Sequence, residues 1–243
     1  MIFKTARVLL ALSGLLAVTA LPASAQYHHG RYYGGGGDDG EFRIHVGSFR
    51  PDGSSTYWDG IRSDFTGSDP SDFENANFGL DYLLPIGRQV SLMFSGSVYE
   101  GNSSNAYRNF ADNFGNRIRH DTTLDVASLT AGVVVNLTGR RSPVRPYVGA
   151  GVGLYPWRLK ESGDFIDFHT ANNAIFSADL RSDGTAFGYY GLVGLEVPVS
   201  RRVNLFAEGR WTKVDDNLNK DLEGLGKLDL SGREIAAGIS WTL

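Results

Sequence analysis

The sequence predicts an all-β fold, an eight-stranded antiparallel up-and-down transmembrane β-barrel. Eight segments alternate apolar and polar residues with a period of two, as strands with two different faces do. The connections between these segments alternate between short and long, as in a membrane barrel whose turns and loops lie on opposite rims. The polar faces carry mostly Gly, Ser, Asn, Thr and Tyr, without the lysines that a sheet in water would carry.

Residues 1–25 have the three parts of a secretory signal peptide. Lys4 and Arg7 precede an apolar run, and Ala23 and Ala25 form an A-x-A cleavage signal, which places the mature N-terminus at Gln26. The apolar run is shorter than the roughly 18 residues that a membrane-spanning helix needs, which disfavours a helical anchor. The absence of cysteine excludes a lipoprotein anchor and a disulfide framework.

Residues 26–40 are predicted to be a flexible, glycine-rich periplasmic tail, because they show no apolar periodicity and include four consecutive glycines. The pair His28 and His29 lacks a fixed ligand geometry, so no metal site is expected there. Removal of the signal peptide takes away two basic residues, so the net charge of −4 becomes −6. A mildly acidic chain has no electrostatic footprint for nucleic acid. The barrel domain is predicted to span residues 41–243.

The first four predicted strands each have one apolar face and one small or polar face. In the first strand, Phe42, Ile44 and Val46 alternate with Arg43 and His45. The next three oppose valine, leucine and phenylalanine to asparagine, serine, threonine and glycine. These four segments are residues 42–48, 76–84, 90–99 and 128–137.

The last four predicted strands repeat the pattern. The fifth strand is the most regular, with Val148, Ala150 and Val152 interleaved with Gly149 and Gly151. The even total of eight is usual for bacterial single-chain barrels. These four segments are residues 147–155, 187–197, 203–212 and 234–243.

The connections divide into two kinds. Three are short and marked by proline or glycine, at residues 85–88, 139–146 and 198–202. Four are long, at about residues 50–73, 101–119, 159–185 and 214–229, and are predicted to be solvated extracellular loops. This arrangement places both termini in the periplasm.

The polar faces are predicted to line the lumen, because their few charges have both signs and can pair in a crowded interior. A soluble, lipocalin-like barrel is the alternative, and it would turn the apolar face inward. The predicted polar network of the lumen consists of Arg43, Asp81, Glu196, Glu208, Arg210 and Glu234. Aromatic residues near strand ends are predicted to form the girdles at the membrane interfaces: Tyr82, Tyr155, Trp157, Phe187, Trp211 and Trp241.

Three stretches resemble the small outer-membrane β-barrel family, the OmpA/OmpX/OmpW-like and opacity-type surface proteins. They are RPYVGAGVG at 145–153, LFAEGRW at 205–211 and GISWTL at 238–243. The last is similar to the family's C-terminal insertion signal, carried here by Gly238, Trp241 and Leu243. Leu243 departs from the usual terminal aromatic residue, and Ala236 stands where a polar residue is common.

The resemblance implies a monomer in the bacterial outer membrane, in contact with membrane lipid, lipopolysaccharide and the assembly machinery. It also implies a structural surface protein that presents four loops, for adhesion or envelope integrity. Eight strands leave an interior just wide enough for side chains, so an open diffusion channel is not expected. The alternative function is that of a narrow transporter of small or hydrophobic solutes. A lipid-modifying enzyme is a third hypothesis.

A catalytic role is not expected, because a nucleophile needs a base within hydrogen-bond reach. The candidate bases His45, His120 and His169 belong to no recognisable motif. His45 is predicted to make a structural hydrogen bond in the lumen, and His120 to lie at the outer rim. The sequence therefore predicts no catalytic, cofactor-binding or metal-binding residues.

Overall fold

The computed structural model describes residues 40–139, 142–168, 170 and 173–243. The predicted signal peptide, with Ala23 and Ala25, and the predicted tail up to residue 39 lie outside the described residues. No helix within the described ranges is long and apolar enough to cross a membrane.

The described chain consists mainly of antiparallel strands, with one helix between the first two. Short 3-10 turns lie at Pro70–Phe73 and Lys220–Leu222. The elements are β1 (Glu41–Pro51), α1 (Thr56–Asp64), β2 (Phe65–Thr66), β3 (Asn75–Pro85), β4 (Val90–Ala111), β5 (Arg117–Asn136), β6 (Arg145–Asp167), β7 (Ala174–Pro198), β8 (Val203–Asn217), β9 (Lys227–Asp229) and β10 (Gly232–Thr242).

Eight of the strands close into a barrel. Each pairs antiparallel with the next in the order β1, β3, β4, β5, β6, β7, β8, β10, and β10 then pairs with β1 from Glu41↔Thr242 to Pro51↔Gly232. The short β2 and β9 lie outside this ring, on β4 and β8. Among the described residues, each of the eight strands is paired on both sides within the ring, so the ring itself has no free edge of the kind that an open sheet would have to protect. The predicted eight-stranded up-and-down barrel is confirmed.

The apolar face of each barrel strand points outward. On β1, Ile44 is 51% exposed whereas its neighbour Arg43 is 2% exposed, and Ile235 on β10 is 77% exposed. Continuous apolar bands of this kind are not left in water by soluble proteins, and they match the lipid-facing band of a membrane barrel. The predicted face assignment is therefore confirmed, and the lipocalin-like alternative is wrong.

The central strands are far longer than the sequence pattern predicted. β4, β5, β6 and β7 contain 22, 20, 23 and 25 residues, whereas about 9–11 suffice to cross a membrane. The prediction of long loops at 101–119 and 159–185 is wrong, because most of these residues continue the strands. The connection from β4 to β5 is only residues 112–116. We call this rim of the barrel the long-hairpin end and the opposite rim the short-turn end.

The outward and inward faces of the long strands exchange polarity at one level along the barrel axis. Outward-pointing Glu100, Asp125, Arg158 and Asp183 stand side by side, since each pairs with the next across β4 to β7. We call these four residues the polar row. On the short-turn side of the row the outward residues are apolar, and on the other side they are polar. A search for one continuous apolar face therefore ends at this level.

The inward residues change from polar to apolar at the same level. As a result, the prediction of girdle positions is wrong for two of the predicted girdle residues. Tyr155 and Trp157 on β6 point inward and are buried, while Phe187, Trp211 and Trp241 are exposed on the outer surface. Trp157 donates from Nε1 to Asp216 Oδ2 at 2.8 Å. Around the level of the polar row and towards the long-hairpin end, aromatic residues at inward positions fill the interior.

Candidate functional site: the filled lumen and the cap

The lumen near the short-turn end holds a balanced group of charges, which we call the lower cluster. Arg43 donates from Nη2 to Glu196 Oε2 at 2.8 Å and from Nε to Glu41 Oε1 at 2.7 Å. Arg145 Nη1 lies 3.0 Å from the second oxygen of Glu196. The guanidinium of Arg43 also stacks over the ring of Tyr147, 4.9 Å from its centroid. Two guanidinium groups thus face two carboxylates.

A second group, the central cluster, lies further along the lumen and is almost completely buried. Arg210 Nη2 lies 2.8 Å from Glu208 Oε1 and 3.8 Å from Asp81 Oδ1. His45 Nδ1 lies 3.2 Å from Asp81 Oδ2, and His45 Nε2 lies 3.8 Å from Glu234 Oε1. Three carboxylates therefore share one guanidinium and one imidazole.

Hydroxyl groups from neighbouring strands complete the central cluster. Tyr147 donates to Glu208 Oε2 at 3.0 Å, and Ser95 donates to Asp81 Oδ1. Gly79 gives His45 its place, because a Cβ at this position would overlap the imidazole ring. The bonds link β1, β3, β4, β6, β8 and β10, so each buried charge is held by residues distant in sequence.

Apolar residues close the lumen beside these charges. They are fully or nearly fully buried, and they occupy the described part of the lumen beside the charges. Side chains packed as in a protein core fill space rather than line a pore. The group comprises Leu83, Met93, Val134, Tyr147, Tyr190 and Leu192.

The long-hairpin end is closed by a folded unit, which we call the cap. It consists of α1, β9, the 3-10 turns and the inward faces of the extended strands around one apolar core. Tyr57, Trp58 and Ile61 share the buried face of α1, as residues one turn apart on a helix do. Trp58 is fully buried and packs edge-on against Phe73, with ring centroids 5.1 Å apart.

Polar contacts fix α1 over the barrel mouth. Trp58 donates from Nε1 to the Asp229 carbonyl at 2.9 Å. Tyr57 donates to Glu161 Oε1 of β6 at 2.6 Å. The Asp229 carboxylate accepts from the backbone N–H of Ser54 at 2.9 Å and of Ser231 at 3.0 Å. The predicted solvated loop at 50–73 is therefore wrong for α1 and Phe73, which are structural parts of the cap.

His120 lies inside the extended hairpins rather than at an open rim, which corrects its predicted position. Its ring stacks on Phe165 with centroids 5.0 Å apart and meets Phe65 edge-on at 4.6 Å. Its Nε2 lies 3.4 Å from Asn105 Nδ2. Burial lowers the pKa of His120 to about 4, although the nearby Asp121 carboxylate acts in the opposite direction.

This burial makes the folding of the extended hairpins sensitive to acid. The pKa of about 4 in the folded protein lies below the ordinary histidine pKa of 6.5, so the unfolded chain binds the proton first as the pH falls. We expect the contribution of neutral His120 to the free energy of unfolding to be fully present above pH 6.5. Between pH 6.5 and 4 the free energy of unfolding should fall by up to about 1.4 kcal/mol per pH unit for one proton. The measurement is tryptophan fluorescence during unfolding at a series of pH values. His120→Phe keeps a ring in the pocket and should flatten this part of the profile; an unchanged slope would assign the proton elsewhere.

Of the three candidate histidines, the structure describes His45 and His120, which lie in different surroundings. His45 belongs to the central cluster, His120 is enclosed by aromatic rings, and His169 lies outside the described residues. Asp121 points away from His120 and accepts a hydrogen bond from Ser104 at 2.6 Å.

The structure divides the six residues of the predicted lumenal network between the two clusters. Arg43 and Glu196 belong to the lower cluster, and Asp81, Glu208, Arg210 and Glu234 to the central one. Glu41 and Arg145 were not predicted to belong to this network, and His45 was predicted only to make a structural hydrogen bond in the lumen. The inward parity of all three was the available signal.

The residues of the predicted insertion signal lie on β10 and just beyond it. Trp241 and Leu243 are exposed on the outer apolar surface. Gly238 faces the neighbouring β1, where a Cβ would overlap the carbonyl oxygen of Ile44. Leu243 donates its backbone N–H to the Gly40 carbonyl at 2.9 Å, which ties the last residue to the start of β1.

A closed antiparallel ring with an apolar outer band and charges inside defines the class of integral membrane β-barrels. Residues 9–242 match the family described as outer membrane protein beta-barrel domain. The chain belongs to this family and is a protein of the bacterial outer membrane.

Several solved structures are similar to this chain. The neisserial surface protein A (NspA) is 15% identical, with 85% of this chain and 98% of that chain covered and a TM-score of 0.49. The outer membrane protein OprG of Pseudomonas aeruginosa is 14% identical, with 84% and 96% covered and a TM-score of 0.48. The outer membrane protease OmpT of Escherichia coli is 13% identical, with 85% and 97% covered and a TM-score of 0.42. Among curated proteins, none matches the sequence.

Proposed function

We propose that this protein is a closed, non-enzymatic structural barrel that holds a folded β-extension at the bacterial cell surface, for adhesion or envelope integrity. One observation carries the proposal: the interior is filled at membrane level and sealed again by the cap, while four strands continue well past the polar row. In such a molecule the long strands form a rigid projection, and the interior does not serve as a passage.

The proposal places the long-hairpin end outside the cell and both termini in the periplasm. Its support is the usual architecture of bacterial outer-membrane barrels, in which periplasmic turns are short and extracellular loops are long. The polar row then lies at the outer interface, where lipopolysaccharide is the neighbouring lipid. The exposed C-terminal residues Trp241 and Leu243 would be read by the assembly machinery, and the barrel would work as a monomer.

The orientation can be tested with single cysteines, because the chain has none of its own. Asn113→Cys lies in the exposed tip between β4 and β5, and Arg88→Cys in the exposed turn between β3 and β4. A membrane-impermeant thiol reagent should label the first variant on intact cells. It should label the second only after the outer membrane is permeabilised, and the reverse pattern would invert the orientation.

The closed interior can be tested in planar bilayers. Purified protein should give no steady conductance, because Met93, Tyr147 and Leu192 fill the lumen and Trp58 seals its mouth. Steady single-channel currents would instead favour the narrow transporter, and Glu208→Gln with Arg210→Met should then change solute uptake.

Cells that carry residues 112–116 replaced by glycine and serine should lose surface attachment while the barrel persists.

A further inference from the structure

A small cavity lies where the polar lumen meets the cap. Its volume is about 40 Å³, which is room for a water molecule or a small ion. Phe49, Tyr99 and Leu230 form its apolar side, and Asn77, Arg210 and Glu234 belong to its polar side. The cavity therefore adjoins the central cluster directly.

Three buried polar atoms of residues lining this cavity have no hydrogen-bond partner among the described residues. They are Asn77 Oδ1, Glu234 Oε1 and Arg210 Nε. All three side chains are more than nine-tenths buried. An unsatisfied buried polar atom costs about 1–3 kcal/mol, so a bound species that satisfies these atoms would stabilise the fold. The Asn77 and Glu234 oxygens can accept from a donor or bind a cation, whereas Arg210 Nε can only donate to a water.

The charges of the central cluster indicate what is held. Among the described residues of the cluster, Arg210 is the one permanent cation beside the carboxylates of Asp81, Glu208 and Glu234, so the formal charge is −2 with neutral His45 and −1 with charged His45. The lower cluster supplies no compensation, because its two guanidinium groups are matched by Glu41 and Glu196. An uncompensated charge in a low-dielectric interior is costly, so the cluster needs further positive charge.

We propose that the central cluster takes up one small monovalent cation from solvent, either on its own titratable groups or in the adjoining cavity between Asn77 and Glu234. The cation is either a proton, carried by His45 or Glu234 with water in the cavity, or an alkali-metal ion held by the Asn77 and Glu234 oxygens. The groups facing His45 are Asp81 of β3, Glu234 of β10 and Arg210 of β8. The ring of Tyr190 on β7 lies 5.1 Å from the Arg210 guanidinium carbon.

The experiment measures the unfolding midpoint of detergent-refolded protein from pH 7 to 9, in sodium or potassium chloride and in choline chloride at equal ionic strength. Choline is too large for the cavity and serves as the inert cation. A bound proton predicts that the unfolding equilibrium constant rises by up to tenfold per pH unit, in every salt. A bound alkali ion predicts saturable stabilisation by sodium or potassium that choline does not reproduce.

Two near-isosteric variants shift the charge balance in opposite directions. Glu234→Gln removes one negative charge, so the dependence on proton or alkali ion should shrink and stability in choline at pH 9 should rise. Asn77→Asp adds one, so the dependence should steepen and that stability should fall. Glu223→Gln changes an exposed carboxylate of the long-hairpin end and should match the parent protein.

Each outcome decides the question. If the unfolding midpoint depends on pH or on the alkali ion, and Glu234→Gln weakens that dependence, the result supports the site and identifies the cation. A midpoint that is constant in all buffers overturns the proposal, as does a dependence that both variants retain unchanged. If Glu234→Gln fails to refold, Asn77→Asp with the parent protein still tests the predicted direction.

Discussion

Val133→Arg should abolish stable insertion of the barrel. Val133 points outward on β5 between Leu92 and Ala150, in the middle of the apolar band, and its side chain is exposed on the barrel surface. Arginine at the bilayer midplane costs roughly 2–4 kcal/mol, a large fraction of the stability of a small barrel. The measurement is the shift between boiled and unboiled samples on a denaturing gel of the membrane fraction, and the shifted band should be lost.

The matched control is Ser104→Arg. Ser104 also points outward but lies beyond the polar row, beside Asp121, which can pair with the new guanidinium. This variant should insert and shift on the gel like the parent protein. Normal insertion of Val133→Arg would mean that the outward apolar band is not the lipid-facing surface.

Trp58→Ala should open the cap while the barrel remains intact. The indole is fully buried between α1 and Phe73 and donates to the Asp229 carbonyl, so truncation leaves a cavity and an unpaired carbonyl. Loss of a buried tryptophan costs about 3–5 kcal/mol. Limited proteolysis should cut the segment between β1 and β3 much faster than in the parent protein, whereas the gel shift of the barrel should persist.

Phe114→Ala is the control for this effect, because Phe114 is 89% exposed at the tip of the β4–β5 hairpin. Its removal should leave the cleavage rate of the first segment unchanged. Equal resistance of Trp58→Ala and the parent protein would show that α1 is held by contacts other than its tryptophan.

The sequence predicted the parts of the fold that one repeated rule governs. Apolar residues at even positions of β1 and at odd positions of β10 point outward, as alternation requires, and the short turns lie where proline and glycine mark them. The six lumenal charges follow from the same parity. Their partners do not, because Arg43 and Glu196 are 153 positions apart and only the closed ring brings them together.

The cap was not predicted from the sequence, because apolar residues change from outward to inward positions within single strands. Along β6 the apolar residues pass from the outward position of Leu154 to the inward positions of Tyr155, Trp157 and Leu159. The period of two continues without a break, but a search for one apolar face reads the change as the end of the strand. α1 has nine residues with a central glycine, too short and weak a pattern to stand out.

The polar row also fixes how deeply the barrel sits in the bilayer. A displacement of two residues along the strands, roughly 7 Å, would draw Glu100, Asp125, Arg158 and Asp183 into hydrocarbon, or lift a ring of apolar side chains into water. Either movement carries a cost for all four of these strands at once, which favours one height of the barrel in the bilayer. The long hairpins therefore stand at a fixed distance above the lipid, and anything that meets their tips meets them there.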